Sequence, residues 1–291
     1  MELNHLEVTE APVAAASVVM LRDAAGGMEV LLLKRHAALS VLGGAHVFPG
    51  GKLDPADVEL DMAAHLDQDE QALHGALREP ALSPRQAAGL HVAALREAFE
   101  ESGLLLAHGA SARLVELAAM RAAQGLTFNR LLGALSLRLD TRNLVPWSRW
   151  ITPRRPSVSS RRFDTRFFAA LVSGEAEVSH DNHEAVESIW LQPRVALDLY
   201  WQGRMALAPP QIMSLAHLAR HRSGAEVLDA ARLAGPALIE PFTCEIDGSR
   251  VVCYPGDERH PERVRALPGP SRLIFRNQRF EPFGGFEELF G

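Results

Sequence analysis

The most informative segment of the sequence is REAFEESGLL, residues 96–105. On a helix, Glu97, Glu100 and Glu101 stand at positions i, i+3 and i+4, so their carboxylates project from one face. Like charges at this spacing repel each other. Two interpretations stay open from these residues alone: a solvated acidic face paired with Arg96, or a set of oxygen ligands for Mg²⁺ or Mn²⁺.

A second motif, FPGG at residues 48–51, lies upstream of this helix. Together the two stretches resemble the signature of the Nudix hydrolase superfamily, G-x5-E-x7-R-E-U-x-E-E-x-G-U, in which U is aliphatic. Gly51 takes the first position of the pattern, Arg96-Glu97 take R-E, Glu100-Glu101 take E-E, and Gly103 takes the last glycine.

The match departs from the signature in two places. Asp57 stands where the superfamily has Glu. The two halves are joined by 38 residues (58–95) where the signature has seven, an insertion of 31. The fold tolerates such a helical excursion when its ends return to the same place, because a long surface insertion costs little loop entropy.

The resemblance implies an α/β protein with the Nudix fold, in which a mixed β-sheet is sandwiched between helices. It also implies a hydrolase that cleaves the pyrophosphate bond of a nucleoside diphosphate linked to another moiety. Metal ligands implied by the match are Glu97, Glu100, Glu101 and the Gly51 carbonyl, with Mg²⁺ or Mn²⁺ as the cofactor.

Further roles follow from the same match. Arg96 is expected to orient the glutamates and to pair with Asp57. Gly50 and Gly51 are expected to let the backbone approach closely and adopt positive φ, and Gly103 to end the helix as a C-cap.

The candidate catalytic residues are Glu97, Glu101 and Glu184, and the water-activating base is expected among Glu97, Glu184 and Glu187. Glu97 and Glu101 belong to the signature itself, which we call the Nudix box. In this superfamily the base can also come from a later loop. In HDNHEAVESIW (180–190), Glu184 stands six residues before Trp190, a spacing seen in several members, and Glu187 is the second choice. The alternative is that both glutamates only cap or solvate the start of a strand.

The sequence indicates the substrate less specifically than it indicates the superfamily. Residues 31–51 resemble the pattern upstream of the box in coenzyme A diphosphatases, with Arg35 in register. The insertion, with WSRWITP (147–153) and RRFDTRFF (161–168), resembles nudix-19-type hydrolases, whose animal members are coenzyme A diphosphatases. Arg162 and Arg166 are therefore candidate phosphate contacts.

Three functions remain open from the sequence. The leading one is a diphosphatase of coenzyme A or acyl-coenzyme A. The second is a Nudix hydrolase of a nucleotide sugar, a dinucleotide or an oxidised nucleotide. The third is a non-catalytic nucleotide-sensing module, against which the intact Glu97, Glu100 and Glu101 count.

Composition limits the partners. The 291 residues carry 30 Lys+Arg against 36 Asp+Glu, a formal charge of −6, which argues against binding to a nucleic acid polymer by phosphate neutralisation. The sequence has no apolar run of about 18 residues, so no membrane span is expected. Its first twelve residues lack the features of a secretory signal. We expect a cytoplasmic protein that acts on a small-molecule nucleotide, and a homodimer is compatible with the sequence.

Strands and helices alternate along residues 10–235, which we interpret as the Nudix domain with a helical insertion at 58–94. Residues 236–291 change to hairpins, which predicts a C-terminal extension packed on that domain. Cys244 and Cys253 would face each other if Gly248-Ser249 formed the turn of the first hairpin, and two reduced thiols are favoured over a cross-strand disulfide.

Overall fold

The structure is a computed structural model that describes residues 3–4, 6–39, 42–158, 161–173, 178 and 185–291. The strands are β1 (Val13–Ala24), β2 (Gly27–Arg35), β3 (His46–Val47), β4 (Gly50–Lys52), β5 (Val145–Ile151), β6 (Phe163–Leu171), β7 (Ala185–Leu191), β8 (Ala237–Ile239), β9 (Phe242–Ile246), β10 (Ser249–Cys253), β11 (Arg272–Arg276) and β12 (Arg279–Glu281). The helices are α1 (Pro55–Glu59), α2 (Met62–His65), α3 (Glu70–Leu77), α4 (Pro84–Ser102), α5 (Ala112–Ala123), α6 (Phe128–Ala134), α7 (Pro193–Trp201), α8 (Pro209–Leu218) and α9 (Gly224–Ala234), and a 3₁₀ helix spans Phe286–Phe290.

The main sheet is mixed, as the sequence predicts. Its strand order is β3-β2-β1-β6-β5-β8, with β4 also paired to β1 and β7 also paired to β2. The pair β1–β2 is an antiparallel hairpin that closes at Ala24 and Gly27, whereas β1 and β6 run parallel. In the part of the chain that the structure describes, none of the helices is long and apolar enough to cross a membrane.

Helices cover both faces of this sheet because β1 is apolar on both sides. Val18 and Met20 belong to a core cluster shared with α4 and α6. The alternate residues Val19 and Leu21 belong to a second cluster, shared with α7, α8 and α9. Successive side chains on a strand point to opposite faces. The expected arrangement of a sheet between helices is therefore confirmed.

The insertion consists of α2, α3 and the first half of α4, and its ends return to one place. Leu73 and Leu77 of α3 are buried in the α4-side core cluster. Gly89 of α4 lies against Val58, where an added Cβ would stand 2.8 Å from the valine Cγ2. This close packing leaves the two halves of the box side by side although 38 residues separate them in the sequence.

The C-terminal residues form the two predicted hairpins, which join in a four-stranded antiparallel sheet in the order β12-β11-β10-β9. Val252, Tyr254 and Phe280 of this extension are buried in the core cluster shared with α7, α8 and α9. Strand β8, which the predicted boundary assigns to the extension, pairs with β5 at the edge of the main sheet.

The expected turn of the first hairpin is wrong by one residue. Ser249 pairs with Ile246, so Asp247 and Gly248 form the turn, with φ of 49° and 75°. Asp-Gly is the pair that tolerates positive φ at both central positions of a two-residue turn. Cys244 consequently faces Val251 instead of Cys253, and both thiols are free.

A buried histidine in α4 predicts that the fold is sensitive to acid. His91 is fully buried against Phe168, its Nδ1 contacts the Ala87 carbonyl at 2.9 Å, and its Nε2 has no partner among the described residues. Burial lowers the pKa of His91 to about 4 from an ordinary value of 6.5. Between these values the unfolded chain binds a proton that the folded chain does not, so stability falls as the pH falls.

We expect the free energy of unfolding to drop by about 2 kcal/mol through His91 alone between about pH 7.5 and about pH 5. H91L should lose that part of the pH dependence, and urea unfolding of both proteins at the two pH values measures it. H217L should remove a second part, because burial also lowers the pKa of His217 to about 4. An H91L protein as acid-sensitive as the wild type would contradict this account.

Candidate active site

Helix α4 carries the acidic cluster, and its limits follow from local sequence. It begins with a capping box in which the Ser83 hydroxyl accepts a hydrogen bond from the Gln86 N–H, and Pro84 occupies its first position. It ends at Gly103, which has a φ of 72° and donates its N–H to the Phe99 carbonyl at 2.8 Å. The predicted helix and its C-cap are both present.

Arg96 connects the two halves of the box. Its Nε and Nη2 donate to the two carboxylate oxygens of Asp57 at 2.8 and 3.0 Å, and Nη1 donates to Glu97 at 2.7 Å and Glu100 at 2.9 Å. The Asp57 carboxylate also accepts the Asp54 N–H at the start of α1. The implied pair therefore forms although Asp57 is one methylene shorter than Glu.

The two glycines of β4 touch their neighbours too closely for a side chain. A Cβ on Gly50 would lie 2.6 Å from the Ala16 carbonyl oxygen, and one on Gly51 would lie 2.2 Å from a Glu97 carboxylate oxygen. The Gly50 N–H donates to the Glu101 carboxylate at 2.8 Å. Neither glycine has positive φ, so that part of the expectation is wrong, and close approach is the reason for both residues.

The carboxylates are crowded and partly buried. Burial raises the pKa of Glu97 to about 7 although Arg96 opposes the shift, and burial also raises the pKa of Glu100. A single guanidinium is thus shared among Asp57, Glu97 and Glu100. This excess of oxygen donors over positive charge fits a hard divalent cation, which prefers carboxylate ligands.

A cleft of about 490 Å³ opens beside these residues, within the range of small-molecule sites. Its charged lining residues are Arg35, Lys52, Asp54, Glu97 and Arg161, and its other lining residues are Ala15, Ala16, Ser17, Leu39, Leu42, Val47, Phe48, Gly50, Gly51, Phe163, Thr165, Phe167 and Gln211. None of these described lining residues comes from the insertion at 58–94. The insertion packs behind α4 instead of covering the cleft.

Comparison with known proteins decides the family, because residues 9–218 match the family model described as the NUDT19 Nudix domain. The chain belongs to this family of Nudix hydrolases. A relative from Xenopus laevis, named acyl-coenzyme A diphosphatase NUDT19, is 28% identical over 87% of this chain and 77% of its own. A Caenorhabditis elegans relative, named putative nudix hydrolase 7, is 27% identical over 86% of this chain and 75% of its own.

A solved structure supports the fold as well. The crystal structure of a NUDIX hydrolase from Alicyclobacillus acidocaldarius aligns with a TM-score of 0.61 and 27% identity, covering 76% of this chain and 97% of that one. The resemblance, the fold class and the assignment as a Nudix hydrolase are therefore confirmed.

Of the three arginines expected to bind substrate, Arg35 lines the cleft. The odd-numbered residues Phe163, Thr165 and Phe167 of β6 face the cleft, so Arg166 points to the opposite face. There it donates to the Glu79 carboxylate at 2.9 Å and pairs with Asp164 at 3.0 Å.

Arg162 also makes hydrogen bonds outside the cleft. It donates to the backbone carbonyls of Thr152 and Glu10 at 2.9 and 3.3 Å. Neither Arg162 nor Arg166 is carried into the proposed site, because both guanidinium groups hold backbone or the insertion in place. Lys52, which directly follows FPGG, was missed as a candidate. Arg161, which belongs to the same arginine-rich segment as Arg162 and Arg166, also lines the cleft.

The catalytic role of a glutamate from the later loop stays a prediction. Glu184 lies outside the described residues. Glu187 lies on β7 opposite Lys34, with 3.5 Å between the ammonium and the carboxylate, and its side chain is about half exposed at 49%. It is absent from the described lining of the cleft, so its contacts point to a surface ion pair.

A different group of possible ligands lies beside the insertion. Within the described part of the chain, Asp67, His108 and Asp140 are the three whose ligand atoms lie within 4.8 Å of one another. Asp67 already contacts His108 at 2.9 Å and accepts the Thr141 N–H at 2.9 Å. These hydrogen bonds explain why the three residues lie together. They connect the insertion, which carries Asp67, to the segments that carry His108 and Thr141.

Proposed function

We propose that this chain is a divalent-metal-dependent hydrolase that cleaves the pyrophosphate bond of coenzyme A or acyl-coenzyme A. The observation that carries the proposal is the reassembly of the split box: Gly50 and Gly51 touch Glu101 and Glu97 across the 38-residue connection. The names of the vertebrate relatives, which match over 77% and 79% of their length, support the choice of substrate.

The residues that would hold Mg²⁺ or Mn²⁺ are Glu97, Glu100, Glu101 and the Gly51 carbonyl. When bound, such an ion neutralises phosphate charge and lowers the pKa of water. Arg96 keeps the carboxylates of Glu97 and Glu100 in place by donating to both. Glu97, which lines the cleft beside Gly51, is the residue we propose to take a proton from the attacking water.

The basic lining of the cleft would receive the phosphates. Arg35, Lys52 and Arg161 line the same cleft as Glu97. Guanidinium and ammonium groups are the side chains that bind phosphate oxygens through charge-assisted hydrogen bonds. Cleavage of coenzyme A at the pyrophosphate would release 3′,5′-ADP and 4′-phosphopantetheine.

Turnover of a substrate panel tests this proposal. The purified protein with Mg²⁺ or Mn²⁺ is given coenzyme A, octanoyl-coenzyme A, ADP-ribose, NADH and a dinucleoside polyphosphate. We expect the highest kcat/KM for the two coenzyme A compounds. Turnover confined to compounds without the coenzyme A moiety would overturn the substrate, and absence of turnover with all of them would overturn the hydrolase.

G51A should disable the site while leaving the fold intact. The new Cβ would lie 2.2 Å from a Glu97 carboxylate oxygen, so Glu97 must move. Displacement of a reacting group by about 1 Å can cost roughly 100-fold in rate, and we expect a loss of this order in kcat. G75A is the matched control, because a Cβ there would meet no described atom within 4 Å beyond its chain neighbours and the backbone of its own helix. Equal kcat values for G51A and G75A would contradict the placement of Glu97.

A further inference from the structure

A small chamber opens off the catalytic cleft. It has a volume of about 190 Å³ and shares Leu42, Phe163, Thr165, Phe167 and Gln211 with the cleft. Sites for whole drug-sized ligands usually measure about 300–1,000 Å³. We call this space the side chamber, and its size suits one arm of a substrate whose phosphates lie in the cleft.

Besides β6 and the segment 152–158, three parts of the fold contribute to the wall of the side chamber. The end of β5 contributes Trp150, the start of α8 contributes Pro209 and Pro210, and the C-terminal extension contributes Pro241 and Val252. The extension thereby closes one side of a space that suits a single arm of the substrate.

Trp150 and Phe167 of the side chamber offer apolar walls and no open ring face on which a base could stack. Trp150 and Phe167 are only 4% and 5% exposed. Their rings lie 6.4 Å apart, and Phe167 also meets Phe48 edge-on at 6.2 Å. A nucleobase needs an open ring face, whereas an alkyl chain needs only apolar surface. The walls therefore favour a flexible apolar arm over adenine.

Two polar side chains at the side chamber have an oxygen without a hydrogen-bond partner in the described chain, which suits an arm that also carries hydrogen-bonding groups. Gln211, 6% exposed, lines both the cleft and the side chamber, and its Oε1 has no hydrogen-bond partner among the described residues. Ser157 also lines the side chamber, and its buried hydroxyl lacks a partner within the described chain. Buried polar groups are normally hydrogen-bonded, so each such exception points to a missing partner.

We propose that the side chamber binds the amide-bearing arm that follows the pyrophosphate, with Gln211 hydrogen-bonded to an amide of that arm at the junction with the cleft. The proposal rests on the proposed function, since in a coenzyme A substrate this arm is pantetheine and its acyl group. Gln211 is then a specificity-determining residue, and the C-terminal extension limits how much of the apolar chain is buried.

Inhibition by the two product halves tests the role of Gln211. The Ki values of 4′-phosphopantetheine and of 3′,5′-ADP are measured for the wild type and for Q211L. Loss of one neutral hydrogen bond should raise the Ki of 4′-phosphopantetheine about 3- to 10-fold and leave that of 3′,5′-ADP unchanged. A rise confined to 3′,5′-ADP would place the adenine half in the side chamber, and unchanged values for both would also overturn the proposal.

A series of acyl chains tests the apolar walls. Each buried methylene can strengthen binding about fourfold at most, so KM of the wild type should fall from coenzyme A to octanoyl-coenzyme A. V158W would fill the side chamber, which Val158 lines, and should abolish this difference. V264W, at a position 74% exposed in the extension, should keep it. If V158W still had a lower KM for octanoyl-coenzyme A than for coenzyme A, the proposal that the apolar walls bind the acyl chain would be overturned.

Calorimetric binding of 4′-phosphopantetheine separates the two proposals. If the wild type hydrolyses no coenzyme A compound but Q211L still weakens this binding, the proposed function fails and the side chamber stands. If the wild type hydrolyses coenzyme A while Q211L and V158W match it in Ki and in the acyl series, the side chamber fails alone.

Discussion

E101Q should lower turnover with Mg²⁺ by more than about 100-fold, the upper end of the loss seen when a partner of a metal ligand is removed. The Glu101 carboxylate accepts the Gly50 N–H at 2.8 Å and is buried between α4 and β4. Glutamine retains an oxygen for that hydrogen bond but removes one negative charge from the proposed ligand set. The fold should therefore survive, with a melting temperature within about 3 °C of the wild type.

Initial rates with coenzyme A and thermal unfolding by circular dichroism measure both parts of this expectation. E116Q is the matched control, because Glu116 is an exposed glutamate on α5. We expect wild-type rates for E116Q. Full Mg²⁺-dependent turnover by E101Q would remove Glu101 from the metal site.

R96M should have the largest effect on stability. Asp57 is 0% exposed, and both of its oxygens accept hydrogen bonds from Arg96. Removing one partner of a buried pair leaves an uncompensated charge, which costs about 3–5 kcal/mol in the free energy of unfolding. The double variant R96M/D57L should recover part of this loss, because the stranded carboxylate is gone.

Urea unfolding at neutral pH measures these differences. R232M is the control, since Arg232 and Asp229 form an exposed pair at 3.1 Å that should contribute less than about 1 kcal/mol. If R96M and R232M lost equal stability, the buried pair would not be what joins the two halves of the box.

The parts of the fold that were predictable depend on local signals. Helix α4 begins at Pro84 with the Ser83 capping box and ends at Gly103 because each of these residues has a preferred place at a helix end. The hairpin β1–β2 follows from two apolar runs around a glycine-rich turn. Both signals act over a few residues, so no knowledge of the tertiary structure is needed.

The parts that were not predictable depend on tertiary contacts. Arg161 and Arg162 are neighbours in the sequence, but only Arg161 lines the cleft. Which of them does so is set by the face that β6 presents, and a local pattern does not carry this information. Gln211 gave no signal at all, because an uncharged amide becomes notable only when α8 places it at the edge of the cleft with its Oε1 unpaired among the described residues.

The hairpin β9–β10 shows a third kind of miss. Asp-Gly and Gly-Ser were both available as its turn, and a shift of one residue changes every cross-strand partner. The structure uses Asp247-Gly248, which tolerate positive φ, so Cys244 pairs with Val251 and lies diagonally from Cys253. The tolerance of Asp-Gly for positive φ was therefore a better predictor of this turn than the expectation that the two cysteines face each other.

The most direct test of the account is the identity of the products formed from coenzyme A. Chromatography of the reaction should show 3′,5′-ADP and 4′-phosphopantetheine in equal amounts with Mg²⁺. Neither product should form when EDTA removes the metal, and E101Q should form almost none. Intact coenzyme A after incubation with the wild type, or equal product yields from wild type and E101Q, would contradict pyrophosphate cleavage at the Nudix box.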